Sequence, residues 1–454
     1  MAANEKPDEL VPAKRSLARL WGMGPAAKTL RVWSWAGVTG ALAAAAVVGF
    51  RWLTQWVEEL ATGQRGGLVV AALSLSPWHR ALVCTAGGGF IAGLVLQGGT
   101  VWARRGPGGA VNLDYIDAAR AGRVDLNDRT TLTRTVSSLF SVGTGASIGR
   151  EGPMIQLAAW VSARLARLVA TAPEQRNTLL VCGIAAGIGS AYHAPIAGVV
   201  FVLELALGFL ARHTVAPVLI ASATASSLIY WLVEPKPLYD VPPVVMAPTS
   251  LGIALLAGVL FGGLGWGLLA LLELGRSWFA RIRTPVLRLG LGGLLVGLLS
   301  AWVPQVWGNG YSVVSQVLHG DHAWQWLAWV LLAKVVATTL SSGSGAIGGV
   351  FTPSLFVGAT AGSVLAQVAA LWLPAAWVGD PRLLAVVGMA AVLAAVTHAP
   401  LMAIVMVLEM TNQFQLTVPV MLACGVAYAI STQFGARPLY GNPIESPMAQ
   451  KPNP

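Results

Sequence analysis

The chain has 454 residues and a net charge of +10, from 29 Lys and Arg against 19 Asp and Glu. Only 11% of its residues are charged and 55% are hydrophobic, whereas a soluble domain is about one-quarter charged. With a mean hydropathy of +0.67, the chain has too little polar surface for a water-soluble globule. That excludes a soluble enzyme or a nucleic-acid-binding domain and points to an integral membrane protein.

Residues 1–32 carry Lys6, Lys14, Arg15, Arg19, Lys28 and Arg31 ahead of the first apolar run. Basic residues collect on the cytoplasmic side of a span, so the N-terminus is expected in the cytoplasm. No cleavable signal peptide is expected, because the apolar run starts late and lacks a cleavage site. Apolar runs at Trp33–Phe50, Leu251–Leu272, Leu289–Val303 and Val418–Ile430 predict membrane helices. Several runs are short or broken by Gly and Pro, which predicts tilted, partial and re-entrant helices. The 52 glycines suit close helix packing in lipid. Trp56, Trp78, Trp102, Trp231, Trp278, Trp307 and Trp372 fall near run ends, where an aromatic belt sits. The polar stretch Arg104–Arg129 reads as a water-exposed loop with a short helix. Cys84, Cys182 and Cys424 lie in apolar runs without metal-ligand spacing and read as packing residues.

The chain repeats itself. Residues 181–205 align without gaps to 386–410, with 11 of 25 positions identical, enough to mark a duplication. Both copies contain His-Ala-Pro and a glutamate nine residues after the proline: His193-Ala194-Pro195 with Glu204, and His398-Ala399-Pro400 with Glu409. Upstream, Gly145–Pro153 (GASIGREGP) matches Gly345–Pro353 (GAIGGVFTP). This predicts a first transmembrane half at 33–235, an inter-half loop at 236–249, a second half at 250–440 and a short tail at 441–454. Duplicated halves with helices broken near mid-membrane are typical of transporters, whose site lies where the halves meet.

In Gly149-Arg150-Glu151-Gly152-Pro153, proline suits the first turn of a helix and the glycines let the backbone before it turn. Such a helix start inside the membrane offers free N–H groups and a positive dipole end, which attract an anion without a full charge that would trap it. Arg164 and Arg167 mark the water-facing end of that helix. Gly349-Val350-Phe351-Thr352-Pro353 repeats the device, and the two starts are expected to face one ion. Glu151 is an ionisable group among apolar spans, a costly placement that points to function. Its carboxylate can take an anion position when charged and leave it when protonated, which makes it a gate. The plainer alternative is a helix-capping glutamate. Arg150 can raise the local potential or pair with a carboxylate; Arg134 and Lys334 either attract anions or sit in structural ion pairs. His193 and His398 lack the third ligand and spacing of a metal site. Gly145–Gly149 fits G-x-S-x-G but has no strand pattern around it, so a serine nucleophile is not expected.

These residues resemble the CLC family of chloride channels and transporters, over about 35–445, and the bacterial ClcB-like branch in particular. Gly149–Pro153 matches the family's GREGP motif, Gly349–Pro353 its GxFxP motif, and Tyr440 its C-terminal tyrosine. WGNGYS (Trp307–Ser312) and SSGSGAIGGVFTP (Ser341–Pro353) carry the likeness to that branch. The resemblance implies an all-α integral membrane fold, an inverted repeat of two halves with broken, tilted and re-entrant helices. It also implies a homodimer in the bacterial inner membrane, in contact with lipid and without a cofactor, whose substrate is chloride. An external anion site is implied at Arg150, Glu151, Gly152, Phe351 and Thr352, and a central one at Val350, Phe351 and Tyr440, with Glu151 as gating glutamate. Two positions depart from the family. The serine of its GSGIP motif aligns with Gly109, which removes a hydroxyl from the central site. The inner proton-relay glutamate is replaced by Leu205, leaving Glu204 as the candidate for a proton path. Passive chloride conduction is therefore expected over proton/chloride antiport, with a non-transporting scaffold subunit as the alternative of another class.

Overall fold

A computed structural model describes residues 25–440 apart from 66, 106–113, 171, 208–211, 234–236, 248, 321, 375–376 and 378. Gly109, most of the basic N-terminal segment and the tail 441–454 lie outside the described residues. The first part of the chain forms α1 (Pro25–Thr62), α2 (Leu68–Ser74), α3 (His79–Arg104), α4 (Tyr115–Arg120), α5 (Asp128–Gly143), α6 (Glu151–Val169), α7 (Pro173–Tyr192), α8 (Pro195–Ala206) and α9 (Arg212–Leu232). The second forms α10 (Ser250–Phe279), α11 (Pro285–Leu299), α12 (Tyr311–His319), α13 (Trp324–Gly343), α14 (Phe351–Ala369), α15 (Pro381–Thr397), α16 (Pro400–Thr411) and α17 (Thr417–Gln433). Among the described residues, the pairing of Gly149 with Gly349 is the one β-type contact.

Seven helices among the described residues are long and apolar enough to cross a membrane. Others are too short: α16 has 12 residues, about 18 Å of rise against a ~30 Å hydrocarbon core. Local chemistry sets these lengths. Proline opens α7, α8, α11, α15 and α16, where its missing N–H costs no helical bond. His193 and His398 close α7 and α15 in the left-handed region, both at φ 55°, and the alanine before each following proline is non-helical. The two His-Ala-Pro turns thus share one backbone shape.

Helices α7 and α15 are buried on every face over most of their length and form the centre of the molecule. At Gly358 and Gly388 the backbones of α14 and α15 meet, for a Cβ on either glycine would lie 2.1–2.3 Å from the other's carbonyl oxygen. Large apolar side chains such as Trp231, in α9, and Trp372, in the turn after α14, face outward at 85% and 84% exposure, as lipid contact requires. Trp307 departs from the expected belt: it is fully buried, with its indole against Gly145, because a left-handed glycine (φ 102°) leaves room for the ring. Among the described residues of Arg104–Arg129 the expected short helix forms, but one face of it is buried and not water-exposed. Helix α4 buries Tyr115, Ile116, Ala118 and Ala119, and Asp114 caps its first N–H at 2.6 Å.

Candidate functional site

The two glycine-rich motifs meet. Gly149 N–H donates to Gly349 C=O at 2.7 Å, and Gly349 N–H donates to Gly149 C=O at 2.8 Å, in an antiparallel exchange. This joins the start of α6 to the start of α14. A Cβ on Gly152 would lie only 3.4 Å from the Gly349 nitrogen. The first helical bonds run from Met154 N–H to Arg150 C=O (3.3 Å) and from Ser354 N–H to Val350 C=O (2.9 Å). The amides of Glu151, Gly152, Phe351 and Thr352 therefore precede their helices' own ladders, while Pro153 and Pro353 have none to offer. Two positive dipole ends converge on one spot, with Arg150 capping the first of them.

Glu151 sits at this junction, 5% exposed. Its Oε1 accepts from Asn309 Nδ2 at 3.0 Å, and its Oε2 is buried without a hydrogen-bond partner. Oε2 lies over Gly149, where a Cβ would come within 1.9 Å of it. Arg51 of α1 donates to Ser190 C=O (3.2 Å) and Ala191 C=O (2.8 Å) at the end of α7. It lies within electrostatic range of both Arg150 and Glu151.

The Tyr192 ring lies 5.1 Å from that of Phe351, and its hydroxyl is in electrostatic reach of Glu151 and of Tyr440. The Tyr440 hydroxyl lies close to that of Tyr115, and its ring meets Phe201 edge-on at 5.9 Å. Arg120 fixes the backbone here, donating to Leu205 C=O and Tyr440 C=O, both at 2.9 Å. Arg150, Glu151, Gly152, Val350, Phe351, Thr352 and Tyr440 thus belong to one locus. Sequence reasoning missed Tyr115, Tyr192 and Asn309, whose proximity is created by the fold.

Glu204 stands apart, in α8. Its carboxylate accepts the N–H groups of Leu401 (3.2 Å) and Met402 (2.7 Å) at the start of α16. Lys334 is neither an exposed attractor nor part of an ion pair: fully buried, it donates to Val306 C=O (3.0 Å) and Gly308 C=O (2.6 Å). Arg134 lies in electrostatic range of Asp114. At the far end of α6, Arg164 pairs with Asp128, and Arg167 pairs with Asp125 at 3.6 Å. Ser147 of the G-x-S-x-G pattern is buried between the halves, its hydroxyl 3.3 Å from that of Thr338.

A membrane-embedded centre shared by two repeated halves, with helix amides aimed at it and one acidic side chain beside it, defines a protein of small-anion permeation. The family described as Voltage gated chloride channel matches residues 88–432, and the chain belongs to it. A ClcB-like chloride channel protein of Ralstonia nicotianae is 45% identical over 90% of this chain and 95% of its own length. The voltage-gated ClC-type chloride channel ClcB of Escherichia coli is 39% identical over 87% of this chain and 94% of its own. The fold is similar to that of a slow cyanobacterial Cl−/H+ antiporter, with a TM-score of 0.78 at 22% identity, covering 92% of this chain and 97% of that one. It is also similar to a CLC-type fluoride/proton antiporter, with a TM-score of 0.73 at 25% identity, covering 89% and 96%.

Proposed function

We propose that the chain moves chloride passively across the bacterial inner membrane, as a homodimer with its N-terminus in the cytoplasm, through a pathway gated by Glu151. The observation that carries this reading is the Gly149–Gly349 exchange with Glu151 buried beside it. An anion arriving from outside meets the free amides of Glu151, Gly152, Phe351 and Thr352, where the attraction comes from dipoles and permits release. Further in, the Tyr440 hydroxyl and the backbone of Val350 and Phe351 form the central stop. Glu151 competes with the anion for the outer position when charged and yields it when protonated.

Two features support passive conduction. Leu205, at the inner relay position, is buried and cannot carry a proton. The neighbouring Glu204 is committed to two amides of α16. The second reading, proton/chloride antiport, is favoured by the antiporters among the similar solved structures. Paired chloride and proton flux in liposomes tests both. Passive conduction predicts chloride movement with no uphill proton movement under a chloride gradient. Sustained uphill proton movement would establish antiport instead, and the absence of any flux would leave a scaffold role.

A further inference from the structure

The WGNGYS loop before α12 is held at several points. Trp307 is fully buried against Gly145, at the head of the first anion motif. Lys334 binds the carbonyls of Val306 and Gly308 at 3.0 and 2.6 Å. Gly308 and Gly310 both lie in the left-handed region, at φ 66° and 88°. A Cβ at Gly310 would come within 2.4 Å of the Phe356 ring, and one at Gly308 within 2.8 Å of Leu68 Cδ1. The side chain between those glycines projects from a backbone held on both sides of it. It belongs to Asn309, and it reaches Glu151.

The amide of Asn309 is also oriented. Its Oδ1 accepts from Tyr311 N–H at 3.2 Å, which turns the Nδ2 end toward Glu151 Oε1 at 3.0 Å. An asparagine carries a donor and an acceptor at fixed positions on one planar group, so satisfying the acceptor aims the donor. From this geometry we infer that Asn309, pinned through its loop by Lys334, is a positioning residue for the gate: it latches the charged Glu151 carboxylate in the pathway and sets the pH at which the gate lets go. The inference rests on Glu151 being the gate.

The sign follows from the chemistry. A neutral N–H donor bonds a carboxylate more strongly than a carboxylic acid, so the latch favours the charged, blocking form. Other groups facing Glu151 act alongside it: Arg51 of α1, the adjacent Arg150, and the hydroxyls of Tyr192, Tyr239 and Tyr440. Glu58 faces Arg150 from α1 and partly offsets it. None of these is altered by removing the Asn309 amide, so the effect of that change is separable.

The experiment is chloride efflux from liposomes as a function of pH, for the wild type, Asn309→Ala, Asn309→Leu, Asn309→Ser, Glu151→Gln and the double variant Asn309→Ala with Glu151→Gln. Asn309→Ala and the near-isosteric Asn309→Leu are expected to raise the pH midpoint of efflux by about one unit, a tenfold change in the gate's protonation balance. Asn309→Ser, which keeps a shorter donor, should fall between them and the wild type. In the Glu151→Gln background, Asn309→Ala should change nothing further. Either of two outcomes overturns the latch while leaving the gate standing: an unchanged midpoint in both Ala and Leu variants although Glu151→Gln removes pH dependence, or an equal effect of Asn309→Ala with and without the Glu151 carboxylate. If Glu151→Gln keeps the wild-type pH profile, the gate fails and the latch with it. If the Ala variant does not fold, the Leu variant, which fills the same space, carries the same test.

Discussion

Glu204 and Glu409 cap each other's repeats. Glu204 accepts the Leu401 and Met402 amides at 3.2 and 2.7 Å, and Glu409 accepts the Ile196 and Ala197 amides at 3.0 and 2.7 Å. Each carboxylate sits nine residues beyond its own proline and caps the start of the helix opened by the other copy's proline. Together with the Gly149–Gly349 exchange, this gives two reciprocal contacts between the repeats.

Removing either carboxylate should therefore cost similar stability. Charge-assisted bonds to helix-end amides are each worth roughly 1.5–3 kcal/mol, less where water can replace them. Glu204→Ala and Glu409→Ala are expected to lower the thermal unfolding midpoint in detergent by comparable amounts, while Glu204→Gln, which keeps an acceptor oxygen, should fall by less. If Glu204 instead served a proton path, Glu204→Gln would change proton flux without a matching loss of stability, and the asymmetry with Glu409 would show it.

The repeat and the broken helices were legible in the chain because proline, glycine and His-Ala-Pro act locally. Their effects, a helix start or a left-handed turn, need no knowledge of distant partners. The roles of Glu204 and Lys334 were not legible, since both bind backbone groups, Glu204 the amides of Leu401 and Met402 and Lys334 the carbonyls of Val306 and Gly308. Every residue carries such groups, so sequence gives no hint of which will be near. Trp307 read as a belt residue for the same reason: its burial depends on a left-handed glycine 162 positions earlier, at Gly145. Asn309 offered only its place in a glycine-rich motif.

Gly149 offers a steric test of the gate. A methyl group there would lie 1.9 Å from Glu151 Oε2 and 3.2 Å from Gly349 C=O. The carboxylate is the end of a flexible side chain and can move, whereas the paired backbone cannot. Gly149→Ala is expected to displace Glu151, raising chloride efflux at alkaline pH several-fold and flattening its pH dependence, with the fold retained. Gly348→Ala is the contrasting case. Its Cβ would lie 2.8 Å from Gly149 C=O and 2.5 Å from Ile148 Cδ1, so it should destabilise the junction rather than free the gate. Efflux from the Gly149→Ala protein that keeps the full wild-type pH dependence would count against Glu151 occupying the pathway.

Lys334 supports the site at one remove. Lys334→Met keeps the volume but leaves the Val306 and Gly308 carbonyls without their donor, a loss of about 1–3 kcal/mol for each buried group, offset by removing a buried charge. Net stability should fall modestly. The informative readout is the pH midpoint of efflux, which is expected to rise as in Asn309→Ala, because the loop that presents Asn309 is no longer pinned. A stable Lys334→Met protein with a wild-type midpoint would mean that packing of Trp307 and Gly310 alone holds the loop.

Arg120 links two carbonyls that belong to different repeats, Leu205 after the first His-Ala-Pro turn and Tyr440 beyond α17. Tyr440 therefore owes its placement partly to a guanidinium on α4, the helix whose Tyr115 hydroxyl lies close to its own. If the Tyr440 hydroxyl contacts the central anion, loosening its backbone should weaken binding more than it weakens the fold. Arg120→Ala is expected to raise the chloride concentration at half-maximal flux by about three- to tenfold, equivalent to roughly one charge-assisted hydrogen bond partly replaced by water. Tyr440→Phe should reproduce most of that change, and combining the two should add little, because both act through one oxygen. Additive effects of the two substitutions would show instead that Arg120 acts on the anion through its own charge.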